Sequence, residues 1–206
     1  RARDVHEWGV GTGLLTDSLV ARGLRVIAVD PSASMLAELA ARHPDVPRVV
    51  AAAEHSGQPD ESADAVLVAQ AWHWLDPIAA AQEAARVLRP GGRLAMIWNQ
   101  RMLANEWQRR FDAVQPGARG IDAAQGVAEV SPSLFGPREE WSSTWQREVS
   151  AEEYLALYMT HSPFLVASAD ERAERLRRWR ALLEEHGSET LTEEYATYAW
   201  RYTRQL

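Results

Sequence analysis

Three glycines on alternate positions, Gly9, Gly11 and Gly13, sit between an apolar run and a helical one, and few folds accept that arrangement. Arg3 to Trp8 reads as a strand that runs straight into the turn, and Leu14 to Arg22 as a helix ended by Gly23. Glycines in such a turn let the backbone bend sharply and approach a ligand with no Cβ in the way. A dinucleotide loop would place its third glycine at position 14, which is Leu14. The pattern is G-x-G-x-G preceded by Glu7, which suits a ligand without a pyrophosphate. Arg25 to Val29 forms the next apolar strand and is closed by Asp30, 21 positions after Gly9. An acid there lies across a crevice from the loop, where it can accept from ribose hydroxyls. Each feature alone is also what a plain strand-helix turn and a helix start would show. On successive strands of one sheet they read together as a nucleoside site.

The rest of the first half repeats the alternation. Ser32 is placed to cap a helix through Arg42, Arg48 to Ala51 reads as a short third strand, and Asp64 to Ala69 as a strongly apolar fourth. Asp76 and Pro77 open a helix through Leu88, R-P-G-G makes a turn, and Arg93 to Trp98 is a fifth strand. Strands and helices in this order argue for a parallel sheet wound with helices. Further on, Glu106 to Val114 reads as helix, Pro116 to Pro137 as a loop, and Glu139 to Glu148 as a strand. Ala151 to Met159 and Ala169 to His186 read as helices, and Thr190 to Thr203 as a strand. The expected architecture is an α/β, Rossmann-like, doubly wound and mostly parallel seven-stranded sheet with helices on both faces. One domain over 1–206 is expected.

Composition narrows the function classes. The net charge of -7 disfavours a nucleic acid partner, because such a surface repels phosphates. The chain has no cysteine, which removes disulfides, thiolate metal sites and cysteine nucleophiles. No histidine or carboxylate spacing reads as a metal site. No apolar run is long enough to span a membrane and no leader pattern opens the chain, so a cytoplasmic location is expected. The chain begins almost at its first strand, without the helix that usually covers such a sheet edge and pocket.

With the runs E-W-G-V-G-T-G-L-L-T, R-V-I-A-V-D-P-S-A-S-M-L, A-E-H-S-G-Q-P-D-E-S-A-D-A-V and R-V-L-R-P-G-G-R-L, the chain resembles the class I S-adenosylmethionine (SAM) dependent methyltransferases. A-Q-A-W-H-W-L-D adds a likeness to the subgroup of trans-aconitate methyltransferase-like enzymes. The resemblance covers residues 4 to about 99, so 1–99 would be the SAM-binding half and 100–206 the substrate-covering and C-terminal sheet half. It implies that Gly9, Gly11 and Gly13 bed the methionine portion, with Glu7 near the amino group. Asp30 would bind the ribose, with Pro31 and Met35 beside the adenine and Ala53 and Glu54 framing its edge. Gln70 and Ala71 would face the methionine moiety and the transferred methyl. His6, Trp8 and Ala52 depart from the family, which usually has aliphatic residues at the first two positions and often an acid at the third. A polar His6 in a central strand needs a partner or bears a desolvation cost.

Methyl transfer from a sulfonium is a direct displacement that needs alignment above all, and a base only where the acceptor must lose a proton. His73 is the candidate base, at the carboxyl end of the fourth strand. Packing beside the pocket is its other reading. Trp72 and Trp74 are candidate walls for the substrate or core residues, since an aromatic face suits a nearby sulfonium. His161 is a candidate from the covering part. The activity expected is methyl transfer to O, N or C of a small molecule. A SAM-binding fold that has become a regulatory module is the alternative, motivated by His6, Trp8 and Ala52. A nicotinamide-dependent oxidoreductase is disfavoured by Leu14.

Overall fold

A computed structural model describes residues 3–104, 106–115 and 130–205. Its elements in chain order are β1 (Asp4–Trp8), α1 (Leu14–Ala21), β2 (Arg25–Asp30), α2 (Ala33–Arg42), β3 (Arg48–Val50), β4 (Ala63–Ala69), α3 (Pro77–Val87) and β5 (Leu88–Met102). Then come α4 (Glu106–Asp112), β6 (Glu139–Ser150), α5 (Ala151–Met159), α6 (Ser162–Leu165), α7 (Ala169–His186) and β7 (Thr190–Thr203). Most of the loop expected over 116–137 lies outside the described residues.

The strands form one seven-stranded sheet in the order β3-β2-β1-β4-β5-β7-β6. β1 pairs in parallel with β2 and β4, β2 with β3, and β4 with β5. The order reverses between β1 and β4, and in open α/β sheets ligands bind outside the carboxyl ends of the strands at such a switch point. Trp8 and Ala69 end the two strands that flank it, and Asp30 ends β2 on the other side of β1.

Side chains alternate between faces along a strand. On one face Val5, Val26, Ala28 and Ala65 pack with Leu19 of α1 and with Leu36 and Leu39 of α2. His6 and Trp8 point the other way, and the charges of Glu83 and Arg86 on α3 are felt at His6. Trp8 is completely buried. Its size is accommodated inside the sheet packing.

The R-P-G-G turn proves to be an irregularity within β5. Leu88 pairs with Ala63 and Arg93 with Ala65, so four residues of β5 stand against the single Asp64 of β4. Pro90 has no N–H to give the ladder and Gly91 adopts φ 75°, which makes this stretch easy to extrude. Asp76 caps α3 as expected, accepting from the amides of Ile78 and Ala79.

The chain divides into two compact units. Among the described residues the first holds 3–98, 130–142 and 198–205, and the second 99–104, 106–115 and 143–197. The second has its own aromatic core of Phe111, Tyr154, Tyr158, Phe164 and Trp179, with the Trp179 indole donating to the Phe111 carbonyl at 2.9 Å. Ser150 and Ser168 open α5 and α7 with reciprocal caps to Glu153 and Glu171, and Gly187 closes α7 in the left-handed conformation.

Candidate active site

The site candidates of the first unit gather where β1, β2 and β4 end. Gly9 turns the chain at φ 65°, and its amide donates to the Val29 carbonyl of the neighbouring strand at 2.9 Å. A Cβ at Gly9 would lie 2.4 Å from the Ala71 Cβ, so any larger residue would push the turn off the end of β4. Gly11, at φ 57°, is different: a Cβ there would meet only the Met35 thioether, at 3.8 Å. The backbone at Gly11 therefore borders open space with the half-exposed Met35 at its edge. Gly13 caps α1.

Asp30 ties the loop to the second strand. One of its carboxylate oxygens accepts from the Gly11 amide at 2.9 Å and the other from the Ser32 amide at 2.8 Å. A carboxylate has about four acceptor positions, so each oxygen keeps capacity for a ligand hydroxyl. Pro31, between Asp30 and the Ser32 cap, is exposed.

Glu7 lies below the loop and is almost completely buried. Burial pushes its carboxyl up to about 7, against the opposing hydrogen bond from the Thr16 hydroxyl at 2.6 Å. Thr16 escaped the sequence reading because its spacing from Glu7 follows no motif. Only the fold of the turn brings α1 back over β1.

Opposite the glycine loop, Gln70 holds φ 55°, a left-handed conformation that side chains rarely adopt, while its amide donates to Ile97 across the sheet at 2.9 Å. Strain of this kind persists where the surroundings over-determine it. Ala53 is buried, and the Glu54 carboxylate accepts from the Asp76 amide at 2.8 Å, which fixes the turn after β3 to the start of α3. Trp72 is buried with no partner for its indole N–H among the described residues, whereas Trp74 is exposed. The His73 ring lies 4.7 Å from Trp74 and 5.0 Å from Trp98, edge-on to the latter. Its Nδ1 is buried without a partner among the described residues, and burial holds the imidazole below its ordinary pKa. Trp98, at the end of the expected fifth strand, was not singled out in the sequence.

His161 belongs to the second unit, where its ring lies 5.2 Å from that of Tyr158. Its Nδ1 is also buried without a partner among the described residues, and its pKa is lowered by burial and by the charge of Arg101. His6 bears the cost foreseen for it. Its Nδ1 has no partner among the described residues, its Nε2 is 3.5 Å from the Ser62 hydroxyl, and burial keeps the ring neutral.

The lining of this site fits SAM on the structure's own terms. A Cβ-free turn bordering open space, an anionic group with spare acceptor positions and a thioether at the rim match a nucleoside carrying a short amino acid tail. A methyltransferase domain family matches residues 6–96. An uncharacterized methyltransferase of Mycobacterium tuberculosis is 40% identical over 185 residues, covering 90% of this chain and 75% of the relative. The chain belongs to the class I SAM-dependent methyltransferases. A malonyl-[acyl-carrier protein] O-methyltransferase of Hahella chejuensis is 40% identical over 139 residues, 64% of this methyltransferase and 50% of that protein. A solved structure from Anaeromyxobacter dehalogenans, provisionally named a type II methyltransferase, superposes with a TM-score of 0.65 at 25% identity, covering 98% of this chain and 88% of that one. The narrower likeness to trans-aconitate methyltransferases gains no support from these relatives, which are named for another acceptor or for none. No helix among the described residues is long and apolar enough to cross a membrane.

Proposed function

We propose that this methyltransferase acts on a small-molecule acceptor, holding SAM on the end of β1 and β2 with His73 beside it. The observation that carries the reading is the bond from the Gly11 amide to Asp30, which joins loop and acid into one cradle. Gly9, Gly11 and Gly13 would bed the methionine portion, Glu7 its amino group, and Asp30 the ribose. Pro31, Met35, Ala53 and Glu54 would frame the adenine, and Gln70 and Ala71 would border the reacting end. When bound, SAM supplies an electrophilic methyl group on a sulfonium.

The protein's own contribution is alignment and exclusion of water, which is worth several kcal/mol in a displacement of this type. Trp74 and Trp98 hold the His73 ring between them. Kept neutral by burial, His73 is in the form that accepts a proton, and it would take one from an acceptor that must lose it. Trp72, Trp74 and, in the second unit, His161 are the candidate acceptor contacts. The acidic surface favours acceptors other than nucleic acid, and the Hahella chejuensis relative is named for one.

The test is a titration with S-adenosylhomocysteine, followed by methyl transfer from labelled SAM to a panel of small acids, phenols and amines. Asp30→Ala should weaken S-adenosylhomocysteine about 10- to 100-fold, the worth of hydrogen bonds to a charged group. Unchanged affinity in that variant would remove Asp30 from the site. In the same assay His73→Ala should lower turnover only for acceptors that lose a proton, and full turnover with a phenol would return His73 to packing. Labelling of nucleic acid in preference to the whole panel would overturn the small-molecule reading.

A further inference from the structure

The last strand of the sheet has an open side. β6 lies at the end of the strand order, and among the described residues only β7 pairs with it. It runs for 12 residues, ten of them exposed, and contains neither proline nor glycine. A sheet edge presents a row of unpaired N–H and C=O groups, and chains that stay single blunt it with a short strand, a proline, a bulge or a covering segment. β6 is long instead, and it carries two tryptophans, Trp141 at 59% and Trp145 at 40% exposed. Its charges sit toward both ends, with Ser142, Ser143 and Thr144 in the middle.

Side chains alternate along a strand, so Glu139, Trp141, Ser143, Trp145 and Arg147 share one face. Three of them touch β7 on that face. Glu139 accepts from Arg201 Nε at 3.1 Å, and Arg147 Nε donates to Glu193 at 2.7 Å. The Trp145 ring stacks on Tyr195 with centres 4.5 Å apart, and its indole donates to the Thr197 hydroxyl at 2.9 Å. The order of the five is self-complementary about Ser143. Laid antiparallel against its own copy, the strand opposes Glu139 with Arg147, Trp141 with Trp145 and Ser143 with itself. Directly opposed side chains stand about 4.5 to 5.5 Å apart at Cβ, where unlike charges and aromatic pairs stabilise and like charges do the reverse. Moving the centre one residue on sets Glu140 against Glu148 and Trp141 against Arg147. Moving it one residue back sets Glu139 against Trp145 and leaves Arg147 opposite Pro137, ahead of the strand. Only the register on Ser143 matches both charges and rings.

We propose that the free edge of β6 is the docking surface for a second copy of this chain, the two strands pairing antiparallel about Ser143 so that two sheets run into one. Four charges then alternate in sign across the join: Arg201, Glu139, and Arg147 and Glu193 of the second copy. Glu139 keeps 54% and Arg147 47% of its side chain exposed beside its β7 partner, which leaves each open to a second one. Trp141 of each copy covers Trp145 of the other, and the open backbone groups of both edges find partners. The pairing is isologous, so it closes at two copies. It depends on neither the cofactor nor the acceptor.

Sedimentation equilibrium of the full chain, at concentrations up to about 100 μM, should show a monomer–dimer equilibrium and no larger species. Trp141→Glu sets a carboxylate against the Trp145 ring at two places in the dimer, and should raise the dissociation constant at least about 30-fold while circular dichroism stays that of the parent. Should that variant fail to fold, Ser143→Cys supplies a second test. The chain has no cysteine, so the new thiol can form a disulfide only with its own copy. Mild oxidation should convert Ser143→Cys to a covalent dimer at least about 10-fold faster than Ser188→Cys, an exposed control away from β6. A parent chain that stays monomeric, a larger assembly, or a dimer as tight in the folded Trp141→Glu variant as in the parent would overturn the proposal. Equal cross-linking of the two cysteine variants would also overturn it.

Discussion

Glu7 combines a structural cost with a functional opportunity. Its folded-state pKa is raised from 4.5 to about 7, chiefly by burial. Between those values the folded chain binds a proton that the unfolded chain has released, so stability falls as pH rises through this window and levels off above it. At roughly 1.4 kcal/mol per unit, the loss amounts to about 3 kcal/mol. Glu7→Gln should therefore match the parent chain near pH 5 and exceed its stability by up to that amount at pH 8, in urea unfolding of the ligand-free protein. A difference between the two proteins that is the same at both pH values would rule out this account. An ammonium group held beside Glu7 would reverse the preference and favour the ionised form. His6 differs. It is buried and neutral with one nitrogen unmatched, and nothing in the structure gives it a compensating role.

The turn between β1 and α1 is the element on which the cofactor reading depends, and it is held from outside. Gly9→Ala would place a methyl 2.4 Å from the Ala71 Cβ and force a side chain into φ 65°. The backbone term alone costs about 1 to 3 kcal/mol, and the collision adds to it. Ala71→Gly removes only the collision, so the double variant should recover part of the stability but not all. A coupling below about 0.5 kcal/mol in that cycle would mean that the two residues do not constrain each other. This part of the fold was legible because its signals are local: glycines at fixed offsets, Asp30 after an apolar run, Ser32 and Asp76 at helix starts. The same holds for α5, α7 and β7, whose limits follow caps and a closing glycine. What stayed hidden is long-range. Arg101 meets Tyr154, Tyr158, Glu193 and Tyr195 only once α5 and β7 are in place, and no spacing along the chain marks them. The left-handed backbone at Gln70 is likewise marked by no glycine in the sequence.

Taken whole, the chain is two compact units with separate cores, one built on the wound sheet and one on stacked aromatic rings. Ligands stabilise what they bind by an amount set by concentration over Kd. At 100 times Kd that amount is about 2.7 kcal/mol, enough to slow amide exchange roughly 100-fold where opening is required for it. With S-adenosylhomocysteine alone, the amides of Gly11 and Ser32, which donate to Asp30, should show the largest slowing. Exchange followed by mass spectrometry resolves these segments. Slowing spread evenly over both units, with none concentrated at Gly11 and Ser32, would remove the loop and Asp30 as the cofactor's contacts.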